Sequence, residues 1–180
     1  MLPRSAIAGA LALALALPGG TAVAQSLEYP VKAAYLYKFG PFVEWPAGAF
    51  DSAVSPLTVC IVGDDPFGPV LDRALDGQAV GQHPVAVRRL DRLDRNSACH
   101  VAYVAGSRRQ SVAEGLAGVR GAPVLTVTDS GGPRGIVHFV VKDNRVRFHI
   151  DDQAAAQNGI VISSKLLSLA LSVKSRRGRG

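Results

Sequence analysis

The sequence predicts a single layered α/β domain, a mostly parallel sheet flanked by helices with a β-hairpin added at about 136–150. Three observations predict it. Short apolar runs rich in β-branched residues (LTVCIVG, CHVAYVA, PVLTVT) recur along the chain. Segments with helical spacing of apolar residues separate them, the alternation expected of βα units. One late stretch, IVHFVVKDNRVRFHI, instead carries two strand-like runs around a polar turn.

The elements follow in order. Arg4, an apolar run from Ala6 to Leu17 and Ala22-Val23-Ala24 form a basic start, a hydrophobic stretch and a small-residue cleavage site. Residues 1–24 are therefore expected to be a secretory signal peptide. About a dozen apolar residues fall short of the ~20 that a membrane-spanning helix needs. No Cys follows the cleavage site and no twin-Arg pair precedes the run, so a soluble mature protein from Gln25 is expected. Tyr29 to Val43 then has helical spacing, with Val31, Ala34, Tyr35, Phe39 and Phe42 on one face until Pro41 interrupts. Leu57 to Val62 reads as a strand that ends in Gly63-Asp64-Asp65-Pro66, and Phe67 to Leu75 as the helix after it.

Pro84 to Leu90, Val101 to Ala105 and Val124 to Thr128 read as strands, with a helix over Gln110 to Val119. In the hairpin, Asp143-Asn144 as the loop sets Phe139 opposite Phe148 and Val141 opposite Val146 on a buried face, and His138 opposite His149 on the other. Ile162 to Val173 predicts a final helix, capped by Ser163 or Ser164, with Ile162, Leu166, Leu169, Ala170 and Val173 on one face. There is no internal repeat and no linker long enough to split the body, expected over 25–173. Residues 174–180 read as a basic tail.

Composition narrows the function classes. With 48% hydrophobic and 19% charged residues, the chain is not disordered. The formal net charge of +6 is concentrated at the ends: removing Arg4, Lys174, Arg176, Arg177 and Arg179 leaves about +1 on the body. A basic tail is not a basic domain, so no nucleic-acid partner is expected. Cys60 and Cys99 both sit in apolar, strand-like stretches. In an oxidising compartment two thiols of one small domain form a bridge, closing a loop of about 40 residues. Two separate buried thiols remain the alternative. The absence of C-x-x-C speaks against a redox catalyst.

Four constellations could carry chemistry. His138 and His149 face each other closely enough to share a metal, but Arg145 and Arg147 on the same face oppose a cation, and no metal site is expected. Asp129-Ser130-Gly131-Gly132-Pro133 matches the string around a serine-protease nucleophile. Thr128 stands where a Gly belongs, no matching His segment lies upstream, and a Gly-Gly-Pro turn explains the string. No catalytic residue is assigned. Asp64, Asp65 and Asp129 fall at strand ends, where open α/β sheets gather ligands and where receiver domains hold magnesium; helix capping and turn formation are the simpler roles. Ser163 and Lys165, at a helix start, could hold an anion, although an ordinary Ser cap accounts for them. On the last helix Leu167 and Leu171 widen the apolar stripe beyond what one face buries, which implies a partner if they are exposed.

Several segments resemble the YfiR family of exported α/β proteins. They are Val31-Lys32-Ala33-Ala34-Tyr35-Leu36-Tyr37-Lys38-Phe39 with Phe42-Val43-Glu44-Trp45-Pro46; Leu57 to Gly63 with Pro66-Phe67-Gly68; Cys99-His100-Val101; and Ile162-Ser163-Ser164-Lys165-Leu166-Leu167. The resemblance covers nearly all of the expected mature chain, in order. It implies a periplasmic homodimer that inhibits a membrane-anchored diguanylate cyclase by binding its periplasmic portion, lowering cyclic-di-GMP signalling. It also implies a disulfide near Cys60 and Cys99. Some members carry a second cysteine pair near the hairpin; here no Cys follows Cys99, so this chain lacks that pair and any control that depends on it. The expected partner contacts are Leu166, Leu167 and Leu171, with Phe42 and Trp45, and the Arg-rich tail could add weak attraction to an anionic membrane surface. The competing reading is a periplasmic small-ligand-binding sensor with Asp64, Phe67, Ser163 and Lys165 around the ligand. No cofactor is expected, and no convergent acid, base and nucleophile suggest an enzyme.

Overall fold

The computed structural model describes residues 21–129 and 131–176. Most of the expected signal peptide, Ser130 and the last four residues of the expected tail lie outside the described residues.

The first helix, α1 (Thr21–Lys38), carries Pro30 inside it and is followed by a 3-10 turn at Gly40–Phe42 with Pro41 in its first turn. Pro41 thus interrupts the helix as its missing N–H and fixed φ require. Strand β1 (Val43–Glu44) leads through a long loop to β2 (Leu57–Gly63) and α2 (Pro69–Leu75). Then come β3 (Ala79–Val80), β4 (His83–Leu90), β5 (Val101–Gly106), α3 (Val112–Gly118) and β6 (Leu125–Thr128). The hairpin is β7 (Val137–Lys142) and β8 (Arg145–Asp151), followed by α4 (Asp152–Gln157), β9 (Val161–Ile162), α5 (Ser164–Leu169) and β10 (Ser172–Lys174).

Eight strands form one sheet in the order β10-β8-β7-β6-β5-β2-β4-β3. β4, β2, β5, β6 and β7 run parallel; β8 is antiparallel to β7, and β3 to β4. β1 and β9 pair separately, Val43 opposite Ile162. The expected mostly parallel sheet flanked by helices is present. Its central strands are buried on both faces, as parallel strands beneath helices are.

The hairpin has the expected register: Phe139 opposite Phe148, Val141 opposite Val146 and His138 opposite His149. Asp143 and Asn144 both take positive φ (50° and 58°), the two-residue turn whose twist matches the strands. Phe139 and Phe148 are buried in an aromatic cluster with Tyr35 and Phe39, the Phe39–Phe148 centroids 5.3 Å apart. At the hairpin tip the expected buried face runs out, leaving Val141 52% exposed.

Three expectations need correction. First, the buried face of α1 is turned from the expected one. Phe39, just past the helix, is buried and Tyr35 packs on the core as expected, but Lys32, Ala33 and Leu36 point inward while Val31 is 40% exposed. The inward turn of Lys32 is possible because Glu28 and Asp129 neutralise it. Second, the last helix ends at Leu169. Ala170 turns extended (φ −71°, ψ 148°), and Val173 lies in β10, pairing parallel with Ile150. Leu169, expected on the buried stripe, is 54% exposed. Third, the first residues of the expected tail belong to the body. Lys174 is in β10 and pairs with Asp151, and Arg176 pairs with the buried Asp152.

Candidate functional site

The parallel strands deliver their carboxyl ends to one side of the molecule, where a cleft of about 380 Å³ opens. Asp64 and Asp65 reach it from the end of β2, Tyr103 to Ala105 from β5 and Asp129 from the end of β6. Tyr29 on α1, Val112 on α3 and Gly131 to Pro133 complete the wall. The floor depends on two glycines. Gly63 has φ +85°, and a Cβ there would stand 2.3 Å from the Gly106 carbonyl oxygen. Only glycine lets β2 and β5 approach this closely while the chain turns, and the Asp64 N–H then donates to the same carbonyl at 2.9 Å.

The acidic groups differ in what they can do. Asp65 accepts from the N–H groups of Phe67 (2.7 Å) and Gly68 (3.1 Å) and pairs with Arg89 at 2.8 Å, so it braces the turn into α2. Asp64 is exposed at the mouth. Asp129 accepts from Lys32 and from the Tyr103 hydroxyl, the latter at 3.3 Å. Behind the cleft the Lys32 side chain is 1% exposed and is bridged to both Glu28 and Asp129. Burial alone would lower its pKa, but the hydrogen bonds to Asp129 and Glu28 outweigh it and hold Lys32 above the ordinary 10.5, fully charged. Burial, followed by the Asp129 charge, pushes Tyr103 above the ordinary tyrosine range, so its phenol stays protonated. The Asp129 carboxylate and the neutral Tyr103 phenol, held from behind by the Lys32 ammonium, are thus a fixed array beside Asp64 and Asp65, suited to binding and orientation.

The ligand residues expected from sequence are not brought together. Asp64 lines the cleft, but Phe67 is 3% exposed, wedged edge-on between Tyr29 and Tyr103 at 5.8 and 4.8 Å. Ser163 accepts from the Leu166 N–H as the cap of α5, and the Lys165 ammonium lies 5.7 Å from the Phe42 ring; neither lines this cleft. Sequence reading missed Lys32, Tyr29 and Tyr103. The available signal for Lys32 was a charge on an otherwise apolar face with Glu28 one turn before it.

The expected partner residues also separate. Leu166 is 2% exposed in the core, so as folded it offers a partner no surface, a correction to its expected role. Leu167, Leu171, Phe42 and Trp45 are half-buried. Leu169 stands open beside them on α5, and a second exposed apolar patch lies elsewhere: Leu27, Val31 and Val141 border a groove of about 510 Å³ between α1 and the hairpin tip. Among the described residues no helix is long and apolar enough to cross a membrane.

The opposed histidines hold separate partners: His138 Nδ1 is 2.9 Å from the Thr128 hydroxyl and His149 Nδ1 is 2.6 Å from that of Ser172. Burial, then the Arg134 charge, keep His138 below the ordinary histidine value, so it stays neutral inside the sheet. No group of three or more His, Cys, Asp or Glu among the described residues is placed to hold a metal.

Cys60 on β2 and Cys99 just before β5 form a disulfide with S–S 1.97 Å and Cα–Cα 5.9 Å. It is buried in a satellite cluster with Val62, Leu93, Val104 and Val119. The bridge realises the first of the two readings of the cysteine pair.

No curated protein matches the chain. A family model described as YfiR/HmsC-like matches residues 29–171, from Tyr29 on the cleft wall to Leu171 just before β10, and so takes in the other seven strands of the large sheet, the cleft and the disulfide together. By that match over most of its length, the chain belongs to the YfiR/HmsC-like family.

Proposed function

We propose that this protein is an exported periplasmic regulator, acting as a homodimer, that inhibits a membrane-anchored diguanylate cyclase by binding its periplasmic portion. The carrying observation is the family match across residues 29–171. The buried Cys60–Cys99 bridge supports an oxidising compartment, and the secretory leader expected at residues 1–24 supplies the route there. The cleft's paired and protonated groups suit a regulator more than an enzyme.

Inhibition requires only that the protein bind the inactive state of the cyclase better than the active one. Shifting an even mixture to 99% inactive takes about 2.7 kcal/mol of preference, within the reach of one modest interface. Contacts through Phe42, Trp45, Leu167 and Leu171 are proposed, with the basic C-terminus adding weak attraction to the anionic membrane surface.

The test is cyclic-di-GMP content in a host that makes a membrane-anchored cyclase with a periplasmic segment from the same source. Exported protein is expected to lower it; the same chain started at Gln25 and kept in the cytosol is not. If the exported form leaves every such cyclase unaffected, the reading fails.

The cleft at the strand ends supports a second reading, a small-ligand sensor, since such clefts hold ligands in open α/β sheets. A metabolite screen by thermal shift tests it, with any stabilisation expected to disappear in Asp64→Asn.

A further inference from the structure

The loop from Trp45 to Pro56, between β1 and β2, is fastened to the body by two imidazoles and a phenyl ring. Phe50 is stacked between His83 and His100, with centroids 4.0 and 4.1 Å away and planes inclined by 21° and 14°. Trp45 meets Phe50 and His100 edge-on at 5.9 and 6.1 Å. Each imidazole also holds the loop's backbone: His83 Nδ1 lies 2.7 Å from the Ser55 carbonyl oxygen, and His100 Nε2 lies 2.9 Å from that of Ala49. A carbonyl only accepts, so both nitrogens donate.

His100 has a second obligation. Its Nδ1 accepts the Thr58 N–H at 3.0 Å, and its own backbone N–H donates to the Thr58 carbonyl at 3.0 Å. The imidazole thereby extends the β2–β5 ladder by one rung. A ring that accepts at one nitrogen and donates at the other is the neutral form. His83 only donates in this stack.

We infer that the His83–Phe50–His100 stack is a proton-operated latch: a solvent proton taken up at His100 Nδ1 releases the Trp45–Pro56 loop. The new N–H would point at the Thr58 N–H, two donors face to face. The ring must then turn away, giving up the Ala49 carbonyl and its face contact with Phe50. Other charged groups nearby do not replace what is lost. His83 on β4 opposes a second cation, whereas Asp51 on the loop favours one. Asp94 and Arg95, which line the 260 Å³ cleft beneath the loop, are bonded to Asn96 and Ser97 and to the Arg120 carbonyl respectively. Burial is the largest influence on His100 and holds it below the ordinary 6.5, so the latch is closed at neutral pH and opens on the acid side of that value. The latch is independent of the cyclase reading.

Trp45 is the chain's single tryptophan and so reports on the loop without labelling. The experiment measures acrylamide quenching of Trp45 in the full chain from pH 8 to 5, with far-ultraviolet circular dichroism in parallel. The expected result is a several-fold rise in the quenching constant below pH 6.5, with an unchanged dichroism spectrum. His100→Gln, which can accept and donate but takes no proton, is expected to give a flat, low profile. Should that variant not fold, nitrogen-15 NMR of wild-type His100 decides: it is expected to pass from the Nε2–H tautomer to imidazolium together with the quenching change. A flat wild-type profile, an unchanged transition in His100→Gln, or a His100 that stays neutral while quenching rises would each overturn the latch.

Discussion

Lys32 illustrates how one charged side chain can be carried into an apolar face. Its Asp129 partner lies 97 residues away in sequence, so no local pattern could reveal the pairing, although the Glu28 half was visible one turn earlier. Removing the ammonium strands carboxylates that are only partly open to water. Lys32→Met is therefore expected to cost about 2–3 kcal/mol in urea unfolding, less than a fully buried pair because the carboxylates are 17% and 24% exposed. The pH dependence follows from the raised Lys32 value. The contribution is complete at neutral pH and is lost only as pH rises past 10.5 and through the higher folded value, so the gap between wild type and variant should narrow there. The cysteine pair was legible for the opposite reason: two thiols and an oxidising compartment leave few choices. Reduction, or Cys60→Ala with Cys99→Ala, is expected to lower the unfolding free energy by about 4 kcal/mol for a loop of this length.

Elements with strong local signals matched their expectations. The hairpin did so because its turn residues, alternation and facing aromatics all specify one register. Asn144→Gly, which relieves a side chain at φ 58°, is expected to stabilise by up to about 1 kcal/mol in thermal unfolding. The α5 start was equally legible. Ser163→Ala is expected to cost about 1 kcal/mol because the Leu166 N–H loses its acceptor. What the sequence concealed was the end of that helix. Ile162 to Val173 has helical spacing, yet the chain leaves the helix at Ala170 because Ser172 to Lys174 can add to the edge of β8, a tertiary gain that periodicity does not encode. The same limit applies to α1, whose inward face takes in Lys32 beside Ala33 and Leu36 because the distant Asp129 is there to pair with it. The cleft was partly legible: acidic residues at strand ends were visible, but their different partners, Arg89 for Asp65 and Lys32 for Asp129, were not.

At the level of the whole molecule, the positive charge is weighted towards the C-terminal end. Arg176 belongs to the body through Asp152, so a clean test of the tail begins one residue later. Deleting Arg177 to Gly180 is expected to leave the unfolding midpoint unchanged while weakening binding to phosphatidylserine vesicles by about 2 kcal/mol, roughly one per arginine. Co-sedimentation at low salt measures it, and equal binding by both forms would remove the tail from any membrane role.

The two outer strands of the large sheet have a further consequence. β3 spans two residues and β10 three, and β10 finishes in Lys174 with Arg176 close behind. Where β4 and β8 run on beyond these short strands they carry Arg88 and Arg89, and Arg145 and Arg147, so among the described residues neither border offers a long, uncharged row onto which another sheet could zip. A polypeptide this rich in β-branched residues thus carries its own guard against fibrillar self-association, one that leaves its faces rather than its margins available for recognition.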